Sequence, residues 1–279
     1  MKTFKKLTAV VLCMISMVML AACGKTASDS VTSDSSSSGK AGSEQRSALE
    51  EIKESKKIRM VTNAEFPPFE YKDGDEITGI DIEIANAIAD ELGVELEITD
   101  IAFDACIPSV TEGKADFSIA GMAVTEDRLK NVDFTDSYFS DRLVMIVAKD
   151  SDIKSAADIK GKVVGVQQGT TEDLYVTDEN NENGVDAKEV KRYPKQMDAI
   201  QDLMTKRVDV AVMNSYPAQK LTEGYLDSVK ILEEPIMEEN YGIAVAKGSD
   251  LTEKLNEIIK SLKDSGKLDE IFDKYIGEE

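Results

Sequence analysis

The chain has no histidine and no tryptophan, and only three cysteines among 279 residues. Without imidazole it can build neither a Ser-His-Asp or Cys-His nucleophile nor a histidine-ligated metal site. Three cysteines over this length cannot form a dense disulfide framework. Basic residues are scarce: 33 Lys and Arg stand against 54 Asp and Glu, a formal net charge of −21. That balance argues against nucleic acid as a partner, because phosphate binding draws on clustered Lys and Arg. What remains is the make-up of a folded protein. The hydrophobic fraction is 42%, and the length suits one large or two modest domains. Nothing in the sequence calls for a cofactor or a metal.

Residues 1–22 read as a secretory signal. Lys2, Lys5 and Lys6 precede an uncharged apolar run from Leu7 to Leu20, shorter than the about 20 residues that span a bilayer. The exit, Leu20-Ala21-Ala22-Cys23-Gly24, resembles the bacterial lipobox, in which the cysteine is lipidated and becomes the first mature residue. Residues 23–47 then form a flexible tether. Between Gly24 and Ser47 the chain is rich in Ser, Thr, Gly, Ala and Lys, with Val31 its one large apolar residue, too little to bury a core. An acyl chain such as palmitate on Cys23 would anchor the protein to the membrane, outside the cytoplasm. Cys13 leaves with the signal, so Cys106, in the apolar run Ala105-Cys106-Ile107, remains as a core residue without a partner.

Past the tether, short apolar runs alternate with helical periods. Strands are expected at Ile58–Thr62, Val94–Ile98 and Phe117–Ala120, and a helix at Asp81–Leu92, with Asp81 as its cap and Gly93 as its stop. Asp104 is expected to cap a helix ending near Gly113. The pattern restarts at Gly161, with strands at Lys162–Gln167 and Val208–Met213, a helix from Thr170 and another over Lys195–Lys206. Tyr241–Ala246 reads as a strand, followed by two amphipathic helices separated by Gly266. Such βαβα alternation points to mostly parallel sheets covered by helices. There is also an internal echo. Ile107, Val110 and then Lys114-Ala115-Asp116-Phe117 are matched by Ile200, Leu203 and Arg207-Val208-Asp209-Val210. In both, a base ends the helix and an Asp opens a buried strand, as in two similar halves.

Several motifs, taken in order, resemble the solute-binding proteins of bacterial ABC importers, in the polar-amino-acid class. They are Asn63-Ala64-Glu65-Phe66-Pro67-Pro68-Phe69-Glu70-Tyr71, Thr78-Gly79-Ile80-Asp81, Phe103-Asp104, Ala120-Gly121-Met122, and Val124 to Arg128. Asn131-Val132-Asp133-Phe134, Gln167-Gln168-Gly169-Thr170-Thr171 and Tyr241-Gly242-Ile243-Ala244 follow. The resemblance runs from about Ile58 to the C-terminus. It implies a type II periplasmic-binding fold: two α/β domains with a ligand cleft between them, joined by two crossing strands. The crossings would lie near Tyr138–Arg142 and Met237–Tyr241. Residues 48–142 and 241–279 would then form domain one and residues 143–240 domain two. The partners implied are a free amino acid and an ABC transporter permease, with the binding protein a monomer.

The chemistry of a free amino acid accounts for the residue types. Its carboxylate wants a bidentate guanidinium, which Arg128 offers from the first turn of a helix. Thr170 and Thr171 begin the corresponding helix of the other half. Phe66 and Phe103 offer aromatic faces to the side chain, whereas Phe69 belongs to the core. By resemblance, Gln167 lies near the ligand's distal end, and Asn63, Ala120, Gly121, Ala123, Asn214 and Ser215 complete the site. Three positions depart from the family. Asn63 and Asn214 stand where relatives often carry Asp for the ligand's ammonium, and Ala123 replaces a Thr or Ser. The ammonium would then rely on neutral oxygens, or on Glu65 if it points inward. These changes favour a neutral or polar amino acid over a cationic one. An alternative on this fold is a dehydratase for prephenate- or arogenate-like acids, which needs a buried general acid. A receptor ectodomain is disfavoured, since no second apolar span follows.

Overall fold

The computed structural model describes residues 47–178 and 185–277. The expected signal, the lipidation site Cys23 and the tether up to residue 46 lie outside these described residues. In chain order the strands begin with β1 Lys57–Thr62, β2 Glu65–Phe66, β3 Glu70–Asp73, β4 Glu76–Thr78, β5 Glu95–Asp100, β6 Phe117–Ser118 and β7 Val132–Phe134. There follow β8 Phe139–Ala148, β9 Val163–Gln167, β10 Glu189–Tyr193, β11 Val210–Asn214, β12 Val229–Ile231, β13 Met237–Tyr241 and β14 Ala244–Ala246.

These strands make two mixed sheets and a small antiparallel one, β2-β3-β4. The first sheet runs β5-β1-β6-β14-β7 and the second β10-β9-β11-β8-β12. In each, three adjacent strands pair in parallel. The fourth place in each is filled by an antiparallel strand adjoining a crossing, β14 in one and β8 in the other. The crossings pair with each other: β13 lies antiparallel to β8 from Phe139↔Tyr241 to Leu143↔Met237. The outer strands β7 and β12 run with the first three, so each sheet is mostly parallel in direction, as expected, with one reversed strand. Tyr241–Ala246 is not one strand. Its first residue ends β13 in the second sheet, and after Gly242-Ile243 the chain resumes as β14 in the first.

Strand alternation sorts the core. In β11, Ala211 and Met213 join the cluster around Ile200 and Leu203, while Val210 and Val212 join the cluster around Ile159 and Val176 on the other face. All five residues of β11 are buried, as a central strand covered on both faces requires. The edge strand β5 alternates exposed and half-buried instead. The helix Ile80–Leu92 buries Ile80, Ile84 and Ile88 against the first sheet, each worth about 1.5–3 kcal/mol. Gly93 closes it in the left-handed region at φ 69°. Asp81 does not cap this helix. Gly79 is the N-cap, and the Asp81 side chain turns inward to accept the Gly121 N–H at 2.7 Å and the Tyr138 hydroxyl at 2.9 Å. Asp104 caps nothing either; it lies within a 3₁₀ turn, Phe103–Ala105, ahead of the helix Cys106–Thr111. Phe69 and Cys106 are fully buried core residues, as expected.

The echo in the sequence is a geometric repeat. Asp116, ahead of β6, donates its backbone N–H to Arg59 O, and its carboxylate accepts the Arg59 N–H. Asp209, ahead of β11, does the same with Val163 O and Val163 N–H.

Candidate functional site

Where the two sheets face each other, a narrow cavity lies between groups from both domains. Eleven of the twelve residues expected from the sequence line it. The exception is Ser215. Its hydroxyl donates to the Asp141 carboxylate at 2.5 Å, away from the cavity. Glu65 does not point inward either; its carboxylate pairs with Lys195 at 2.5 Å on the rim.

Arg128 sits in the short helix Glu126–Leu129, whose N-cap Thr125 accepts the Arg128 N–H at 3.2 Å. The side chain is buried. Its guanidinium donates to Ala123 O at 2.7 Å and, across the cleft, to Gly169 O at 3.2 Å. Its central carbon lies 5.4 Å from the centre of the Phe103 ring, within cation–π range. Burial works to lower the Arg128 pKa, opposed by the charges of Glu239 and Glu172.

Two glycines shape the walls. Gly121, at φ +51°, lies under the Phe66 ring, and a Cβ there would meet the ring at 2.4 Å. Gly169, at φ +79°, abuts Asp104, and a Cβ would come within 2.8 Å of it. Both conformations suit glycine, and both allow the domains a close approach.

The second domain presents helix-end groups. Thr170 caps the helix Thr171–Thr177, accepting the Asp173 N–H at 3.3 Å and donating its hydroxyl to Gln167 O at 2.7 Å. Gln167 and Asn63 meet across the cleft: the Gln167 amide donates to Asn63 Oδ1 at 2.9 Å, and the Asn63 amide is fixed by Ile101 O at 2.8 Å. Gln168 likewise donates to Asp104 at 2.6 Å.

Four cavity-lining residues were not foreseen: Glu70, Glu172, Gln196 and Glu239. Glu70 is fully buried, and burial, then the nearby Asp81, pushes its pKa well above the carboxyl range. Among the described residues no N–H or hydroxyl reaches its oxygens, so a protonated Glu70 donating to Asp81 is the arrangement that leaves neither acid unsatisfied. Asp81 itself is pushed up to about 6, chiefly by burial. Glu172, in the first turn after Thr171, accepts the Gln196 amide at 3.2 Å, and burial, then the charge of Glu239, pushes it up to about 8. Glu239 comes from the crossing strand β13 and accepts the Asn214 amide at 2.9 Å. Strand alternation could have found it: Glu239 and Tyr241 are buried, Glu238 and Asn240 exposed. Glu70 stands inside the motif that carries the resemblance. Gln196, the first residue of its helix, had no such signal.

Among the described residues no cluster of metal-ligating side chains occurs, and no helix is long and apolar enough to cross a membrane. The arrangement gathers one buried cation, two aromatic rings, several amides and several acids from both sides of the cleft.

The profile of the bacterial extracellular solute-binding proteins, family 3, matches residues 58–278. The arginine-binding extracellular protein ArtP of Bacillus subtilis (strain 168) is 34% identical over 226 residues, covering 79% of this chain and 86% of that protein. The ABC transporter arginine-binding protein 1 of Escherichia coli (strain K12) is 34% identical over 226 residues, covering 78% and 90%. A crystal structure of the P235GK mutant of ArgBP from T. maritima superposes with a TM-score of 0.76 at 40% identity, covering 82% of this chain and 99% of that one.

Proposed function

The chain belongs to the bacterial extracellular solute-binding proteins, family 3, and from that membership we propose that it captures a free α-amino acid by cleft closure and delivers it to an ABC transporter permease. The observation that carries this reading is the cavity itself. Arg128 offers a desolvated guanidinium from domain one, and Thr170 and Thr171 offer the start of a helix from domain two, so a carboxylate held between them engages both. The domains are residues 48–142 with 241–279, and residues 143–240. The pairing of β8 with β13 supports these bounds, with the hinges at Tyr138–Arg142 and Met237–Tyr241.

Arginine is the first candidate. The expectation of a neutral ligand rested on Asn63 and Asn214 standing where relatives often carry Asp; the Glu239 carboxylate, held by Asn214, supplies an acid in that place. Phe66 and Phe103 suit its alkyl stem and its cation. Relatives named for arginine binding point the same way. The relatives are named as binding proteins, which favours capture without turnover over the dehydratase alternative, even though buried acids are present. The protein acts as a monomer, binds no nucleic acid, and is held outside the cytoplasm by lipid on Cys23. A Cys23→Ser protein that stays with the membrane fraction would refute the anchor.

The test is a thermal-shift screen of the twenty amino acids. A ligand that binds only the folded state adds RT ln(1 + [L]/Kd), about 2.7 kcal/mol at a hundred times Kd. Arginine is expected to raise the melting temperature most. A screen in which no amino acid raises it would overturn the proposal.

A further inference from the structure

Four acids stand in or beside the cleft with different commitments. Glu70 and Glu172 are buried side chains whose pKa values burial pushes up, Glu172 to about 8, which favours their neutral forms. Asp141, the neighbour of Glu239 across the β8–β13 pair, is committed elsewhere. Its oxygens accept the Ser215 hydroxyl at 2.5 Å, the Arg142 N–H at 2.6 Å and the Tyr241 hydroxyl at 3.2 Å. Glu239 differs from all three. It lines the cavity, and the partner that holds its carboxylate is the Asn214 amide at 2.9 Å. That bond fixes the Asn214 amide and leaves its Oδ1 as a second acceptor beside the carboxylate. The charge on Glu239 is also felt across the cavity: it helps hold the proton on Glu172 and opposes the loss of charge on Arg128.

Among the described residues the cavity thus sets the Arg128 guanidinium against the Glu239 carboxyl group, whose hydrogen-bond partner is Asn214. Such a pair of poles in a confined space matches a zwitterion. We infer that Glu239, oriented by Asn214, determines specificity in this cleft by receiving the primary ammonium of an amino acid whose carboxylate lies on Arg128. This rests on the amino-acid-capture reading. It places the acidic anchor on a crossing strand, one side chain removed from position 214, where relatives of this class often carry it. A ligand bound this way touches the hinge directly, so ammonium recognition and domain closure share one residue.

The test uses two ligand pairs, L-arginine with 5-guanidinopentanoate and L-glutamine with glutaramate; each second member lacks only the α-ammonium. Calorimetry on the wild type is expected to favour the amino member of the bound pair by about 100-fold, the scale of a buried charge pair broken on one side. In Glu239→Gln, whose amide oxygen can still accept from Asn214, that preference should fall below about tenfold, with the des-amino analogue bound within about threefold of wild type. A merely structural role would weaken both members together. Should the amide variant fail to fold, as judged by its circular-dichroism melt, Glu239→Ala is read in the same way. A variant that keeps the full preference, or loses both ligands equally, overturns the Glu239 assignment and leaves amino-acid capture standing. A wild type that binds none of the twenty amino acids overturns both.

Discussion

Asp116 and Asp209 occupy the same place in two domains. Each precedes the third parallel strand of its sheet, and each closes a backbone pair and a carboxylate bond on the first strand. The strand orders around them match as well. The cleft faces built on this repeated frame do not match. Domain one aims long side chains at the cavity: the Arg128 guanidinium and the rings of Phe66 and Phe103. Domain two aims a helix start at Thr170 and Thr171, the amides of Gln167 and Gln196, and the carboxyl groups of Glu172 and Glu239. Both use a threonine cap to end a loop at the cleft, Thr125 in one and Thr170 in the other. The frame therefore decides where chain ends meet the ligand, and the residues placed there decide what is recognised. One domain supplies the cation and the aromatic faces, the other a polar cradle and the Glu239 carboxylate.

That division is broken most severely at Arg128. Arg128→Ala should weaken L-arginine binding by roughly 2–5 kcal/mol, because a buried carboxylate loses its cation. Gln167→Ala on the facing domain should cost only about 1 kcal/mol, the worth of a neutral hydrogen bond. Isothermal titration calorimetry on both would invert the comparison if the glutamine proved the costlier loss.

A second asymmetry concerns protons. In domain two the folded-state pKa of Glu172 is about 8, above its ordinary 4.5, so the folded chain keeps a proton that the unfolded chain releases. Its contribution to stability is fully present below about pH 4.5 and declines as pH rises through 8, on the order of a few kcal/mol in all. In domain one Asp81, at about 6, acts in the same sense over a lower window, and Glu70 is shifted in the same direction. Glu172→Gln should therefore narrow the difference in melting temperature between pH 5 and pH 8. An unchanged difference would show that the domain-one acids carry the whole dependence.

The smallest effect separates the two frame aspartates. Asp116 also accepts the guanidinium of Arg59, at 2.6 Å and 3.2 Å, whereas Asp209 holds the Val163 N–H at 2.8 Å. Asp116→Ala should cost about 2 kcal/mol and Asp209→Ala about 1 kcal/mol, read from urea unfolding midpoints. Equal losses would mean that the half-exposed Arg59 adds nothing to the shared motif.

Much of the frame was legible in the sequence because it depends on local signals. Gly93 stops a helix, the four-residue spacing of Ile84 and Ile88 builds one, and Asp116 and Asp209 repeat in register. Arg128 was legible for the same reason, three residues after a threonine that caps its helix. What was not legible depends on partners far along the chain. Asp81 reads as a cap until Gly121 and Tyr138, 40 and 57 residues on, claim its carboxylate. Ser215 sits beside a cavity residue, yet Asp141, 74 residues earlier, turns its hydroxyl away. Glu172 reads as an acid serving a helix start, and only packing reveals that burial neutralises it. Glu239 was within reach of strand alternation, since the strand that carries it was already recognised as a crossing.

The central claim is that binding requires both faces, so ligand must draw the domains together about the β8–β13 crossings. Small-angle X-ray scattering with and without saturating L-arginine tests this most directly. The account predicts a smaller radius of gyration in the bound sample. An unchanged radius, with binding confirmed by calorimetry on the same preparation, would contradict it.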